Sequence, residues 1–144
     1  MEEQLQLLKE QIEIRIRNID SRRIYYRKRS FFSFISTSVL AAISTLLLGL
    51  NFMNWKEEIR ICVLVITSLI TVVNTYNSFF NYKELWVANN DALNQFRELN
   101  FNIEYFQKGK VEIDDATLTA FKNQYQTILN ELNQVWHKSR LDKK

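Results

Sequence analysis

Two stretches without a single charged residue constrain this chain more than any motif. One runs for 26 residues between Arg29 and Lys56, the other for 22 between Arg60 and Lys83. As helices, at about 1.5 Å per residue, they reach roughly 39 and 33 Å, enough to cross a hydrocarbon core about 30 Å thick. The first holds Phe31, Phe32, Phe34 and Ile35, then Val39-Leu40-Ala41-Ala42-Ile43, and closes on Leu46-Leu47-Leu48-Gly49-Leu50. It is apolar on all sides, as a lipid-facing span should be. A soluble domain of 144 residues could hardly surround two such helices with protein. Helix is the expected form throughout, because 2 glycines and no proline supply too few turns for a β architecture.

The second stretch is less comfortable in lipid. Thr67, Thr71, Asn74, Ser78 and Asn81 follow steps of 4, 3, 4 and 3, so they share one helix face. Hydroxyls and amides facing lipid are expensive; against another helix or water they find partners. Two readings compete: hydrogen bonding between helices, or a hydrophilic lining around a pore between copies of the chain. Glu57 and Glu58, in the short connection, are the acidic pair placed to ring a pore mouth and attract cations, against the plainer reading of a solvated loop.

Basic residues set the orientation. Arg22, Arg23, Arg27, Lys28 and Arg29 crowd the entry to the first span, whereas Lys56 and Arg60 in the connection stand against Glu57 and Glu58. Both termini are therefore expected in the cytoplasm of a cell whose plasma (inner) membrane the chain crosses twice. Tyr25, Tyr26, Phe31, Phe32, Tyr82 and Trp86 at one boundary, with Phe52 and Trp55 at the other, suit aromatic belts. The apolar run starts too late and runs too long for a cleavable signal core, so an uncleaved anchor is expected. The same basic cluster suits anionic lipid, and no nucleic-acid partner is needed to explain it.

The flanking segments read as helices as well. Leu5, Leu8, Ile12, Ile16 and Ile19 give residues 1–29 an amphipathic seam that runs straight into a first span over 30–53. After a connection over 54–60 and a second span over 61–82, a heptad seam occupies 83–108. It comprises Leu85, Asn89, Ala92, Phe96, Leu99, Ile103 and Phe106, with Asn89 as a polar, register-fixing member. Nothing breaks the pattern near Lys83, so the second span and this seam are expected to form one rod, ending where Gly109 takes a left-handed cap. Asp114 and Asp115 offer an N-cap to a last helix, 114–138, whose seam is Leu118, Phe121, Tyr125, Ile128, Leu132 and Val135.

A two-span hairpin followed by Phe79-Phe80-Asn81-Tyr82-Lys83-Glu84-Leu85-Trp86, then Leu93, Phe96, Leu99 and Ile103-Glu104-Tyr105-Phe106, resembles the SLATT family. Ile128-Leu129 and Trp136 fit the family's final helix. The family comprises small two-transmembrane effector domains linked to nucleotide-generating and nucleotide-sensing proteins of bacterial conflict systems. The resemblance implies a pore-forming effector, not an enzyme, with an upstream nucleotide-signalling protein as a partner.

Chemistry-bearing residues are few. One cysteine, Cys62, and one histidine, His137, leave no thiolate zinc site and no histidine relay. No cofactor, metal or catalytic residue is expected. The expectation is an all-α membrane protein, a two-span hairpin extended by a cytoplasmic coiled coil or helical bundle, assembling with itself as a channel. A membrane-anchored coiled-coil scaffold that recruits a protein partner is the alternative, and a soluble helical bundle comes third.

Overall fold

The computed structural model describes residues 2–49, 56–109 and 113–141. They form four α-helices and no strand among the described residues: α1 (Glu2–Gly49), α2 (Lys56–Phe80), α3 (Tyr82–Lys108) and α4 (Asp115–Leu141). With no proline in the chain and no glycine before its last residue, α1 continues unbroken for 48 residues. It and the stretch from Glu57 to Lys108 are long and apolar enough to cross a membrane. The end of the expected first span, residues 50–53 with Phe52 among them, and Asn54 and Trp55 of the connection lie outside the described residues. The rest of that connection is helical: α2 already begins at Lys56, with Glu57 and Glu58 in its first turn. Acidic side chains there complement the partial positive charge of a helix N-terminus.

The chain divides into two compact units. The first joins Met1–Tyr26 to Lys83–Lys144, and the second is Arg27–Tyr82. In the first, three apolar seams meet in one core. Leu5, Ile12 and Ile19 come from α1, Ala92, Leu93, Phe96, Leu99 and Ile103 from α3, and Phe121, Tyr125 and Ile128 from α4. Polar ties at the rim set the register. Lys9 pairs with Glu104 at 3.6 Å, and Arg23 donates to Asn90 at 3.3 Å, so α1 and α3 run antiparallel. Arg15 donates to the Tyr125 hydroxyl at 3.3 Å, which joins α4 to α1. In the core, Phe96 and Tyr125 meet edge to face, with ring centres 5.6 Å apart.

Asp114 caps α4. Its carboxylate accepts from the Thr117 backbone N–H at 2.9 Å, and its carbonyl from Leu118 at 3.1 Å. The hydrogen bonds from Thr117 hold its pKa below the ordinary aspartate value.

Two expectations fail here. α2 and α3 are not one rod: Asn81 has φ 46° and separates them. Its own N–H still bonds to the Asn77 carbonyl at 2.8 Å, so the helix breaks only after Asn81 has closed its last turn. Asparagine is the side chain that tolerates this left-handed conformation best after glycine. Gly109, in contrast, is not left-handed, since no described glycine has positive φ. It still donates to the Tyr105 carbonyl at 3.0 Å, extending the helical bonding instead of capping it.

Candidate functional site

In the second unit, α2 turns one line of residues toward α1. Val63, Ile66, Ile70, Val73, Asn77 and Phe80 are half-buried at steps of 3, 4, 3, 4 and 3, and Asn77 on this line meets α1. The matching line on α1 is Ser33, Thr37, Leu40, Ser44 and Leu47, with Ser33 and Ser44 buried. The Asn77 amide donates to the Ser33 hydroxyl, placing the last turns of α2 beside the early part of the apolar stretch in α1.

The polar stripe lies elsewhere. Thr67, Thr71, Asn74 and Ser78 are all exposed, and only Asn81, at the helix break, is half-buried. At about 100° per residue the stripe is centred roughly 100° around α2 from the line that meets α1. About as far in the other direction stand Ile61, Val65, Leu69, Val72, Tyr76 and Phe79, all exposed and, apart from the tyrosine hydroxyl, apolar. Helix α2 thus has three faces: one against α1, one apolar and one polar. Among the described residues, the hydrogen bond between α1 and α2 is made by Asn77, which does not belong to the stripe.

Within the stripe the side chains differ. Thr67 donates to the Val63 carbonyl at 2.9 Å and Thr71 to the Thr67 carbonyl at 3.0 Å. These hydroxyls are satisfied by their own helix. The Asn74 carboxamide has no hydrogen-bond partner among the described residues, and its oxygen, an acceptor, cannot bond to a carbonyl of its own helix.

The other sequence-derived residues distribute as follows. In α3, Leu85, Asn89, Ala92, Phe96, Leu99 and Ile103 are buried, and Phe106 packs partly against the same core. Leu93, outside the heptad seam, is equally buried. Asn89 donates to the Leu85 carbonyl at 2.7 Å, while its oxygen has no partner. In the basic cluster Arg22, Arg27, Lys28 and Arg29 are exposed. Arg23 is held by Asp20 at 2.7 Å and by Asn90, so it serves the first unit's packing. Glu57 and Glu58 are exposed. Cys62 is a free, exposed thiol, and His137 packs edge-on to Trp136 with ring centres 5.5 Å apart. Among the described residues, no three His, Cys, Asp or Glu side chains stand together as a metal site would require.

No protein-family model, curated protein or solved structure matches the chain.

Proposed function

We propose that this chain is a homo-oligomeric membrane channel, with α1 and α2 crossing a bilayer as an antiparallel hairpin and the stripe of α2 facing water at the centre of the assembly. The observation that carries the reading is Asn74, whose carboxamide is exposed within the uncharged stretch of α2 and is left unsatisfied by the partner helix α1. Polar side chains at membrane depth face a bundle interior or a water-filled cavity, because hydrocarbon offers them nothing.

Two further features support it. Only 6% of the most apolar window of each candidate span is buried by the rest of the chain, unlike the core helix of a soluble domain. Also, 11 of the 25 residues of α2 are β-branched, which makes a poor helix in water, whereas lipid obliges the backbone to bond internally.

The arrangement of flanks follows from the hairpin. In an antiparallel pair, residues advanced by equal rotation from the contact line fall on the same side. Ser38, Ala41 and Thr45 of α1 therefore join Thr67, Thr71, Asn74 and Ser78 on one flank. Phe32, Val39 and Ile43 join Ile61, Val65, Leu69 and Val72 on the other. Phe34 also falls on the first flank, so close approach of another copy is confined to the turns of Ser38, Ala41 and Thr45, and the second flank suits lipid. The basic cluster at Arg27, Lys28 and Arg29 supports a cytoplasmic position for both termini, against anionic headgroups. A cysteine at Asn54 is then labelled from outside intact cells and one at Lys143 is not. A non-enzymatic effector of the SLATT kind, answering to a nucleotide-signalling partner, is the biological role this architecture suits.

The test is the mass of the protein in mild detergent together with ion flux from liposomes. An oligomer that conducts is expected, and a strictly monomeric protein contradicts the proposal, since two helices cannot enclose a channel. A membrane-anchored scaffold is the second reading. It is favoured by Phe101 and Tyr105, stacked with ring centres 6.3 Å apart and largely exposed on α3. A monomer or a non-conducting oligomer leaves that reading ahead.

A further inference from the structure

The start of α2 is helical from Lys56, so the charged residues there have a fixed register with the polar stripe. Arg60 precedes Thr67, Thr71, Asn74 and Ser78 by 7, 11, 14 and 18 residues. At 3.6 residues per turn these intervals are close to about 2, 3, 4 and 5 whole turns. Arg60 therefore stands on the line of the stripe. Glu58 precedes Thr67 by 9 residues and Ser78 by 20, roughly half a turn out of phase at both. Glu57 is displaced by roughly 60 to 80° from the same two residues and lies a turn further from the span.

Arg60 is exposed, and its guanidinium makes no ion pair with Glu57 or Glu58 among the described residues. The stripe beyond it carries hydroxyls and amides but no formal charge. The formal charge that shares the line of the stripe is therefore the basic one, with the acids displaced to its side.

We infer that Arg60, repeated in every copy, rings the mouth of the pore on the α2 N-terminal side and that the channel passes small inorganic anions such as chloride. Rings of basic side chains select anions as rings of acids select cations. The inference rests on the pore reading above and replaces Glu57 and Glu58 as the residues at the mouth.

The experiment is the reversal potential of the full-length channel in planar bilayers under a KCl gradient. Wild-type current should reverse toward the chloride equilibrium potential. Arg60→Lys and the Glu57→Gln/Glu58→Gln double variant should keep that sign, whereas Arg60→Glu should invert the preference at unchanged oligomer mass. Should Arg60→Glu fail to assemble, Arg60→Gln carries the test, with the anion preference largely lost. Wild-type current that reverses toward potassium overturns this inference alone, as does an assembled Arg60→Glu or Arg60→Gln channel with wild-type selectivity. Absence of any wild-type current overturns the pore reading itself, and this inference with it.

Discussion

Replacing Phe96 by aspartate is expected to unfold the first unit, with loss of helical signal from α3 and α4 and rapid proteolysis of residues 83–141. Phe96 is fully buried, packs edge to face on Tyr125 and belongs to a core supplied by three helices. Truncating a buried phenylalanine costs about 3 to 5 kcal/mol, and an unpaired buried carboxylate costs several more. A domain is typically stable by only about 5 to 15 kcal/mol, so the sum is enough to unfold it. Arg97→Asp, one residue along and exposed, should change stability by no more than about 0.5 kcal/mol. The comparison also distinguishes two uses of the seam. If Leu85 to Phe106 joined copies of the chain, Phe96→Asp would release a folded monomer. Circular dichroism and proteolysis of the full-length protein in detergent separate the two results.

The second large effect is on conduction. Thr71→Leu together with Asn74→Leu should reduce ion flux from liposomes at least tenfold while leaving oligomer mass unchanged. Leucine is at no disadvantage in lipid, and the pair removes the wetting groups in the middle of the stripe. A pore narrowed by apolar side chains closes by dewetting. The threonine hydroxyl is bonded to its own helix, so its loss should leave contacts between helices almost untouched. If Asn74 instead bonds one copy to another, assembly weakens by about 1 kcal/mol and flux falls only as the oligomer dissociates. Unchanged flux with unchanged mass would remove the stripe from the conduction path.

Much of this was legible in the sequence, because periodicity reports which residues share a face. The seams of α1, α3 and α4 are the lines that the core buries, from Ile12 through Phe96 to Ile128. Periodicity does not report what a face meets. An apolar seam reads alike whether it packs on another copy or on the chain's own helices, so the meeting of three seams in one core was not visible. For the same reason Thr67, Thr71 and Asn74 were recognisable as a stripe, but not as a stripe that α1 leaves uncovered.

Asn77 stands apart from the stripe because it lies off that line, although its place among Ile66, Ile70 and Val73 on an otherwise apolar face is a usable signal. The break at Asn81 has only a weak signal: asparagine tolerates the left-handed conformation, but Asn74, Asn77, Asn89 and Asn90 nearby all stay helical. Arg60 was missed because a connection drawn to residue 60 hides the helical register that begins at Lys56.

Water access along α2 decides whether the stripe lines a pore. In a Cys62→Ser background, single cysteines at Asn74 and at Val72 place a thiol on the polar face and on the apolar face of the same helix, two residues apart. Each variant is reconstituted, and a charged, membrane-impermeant thiol reagent is added while current is recorded. A water-facing stripe gives rapid modification at position 74 with block of the current, and no modification at position 72. Equal protection of both positions, or faster reaction at 72, would contradict a water-filled pore lined by the stripe.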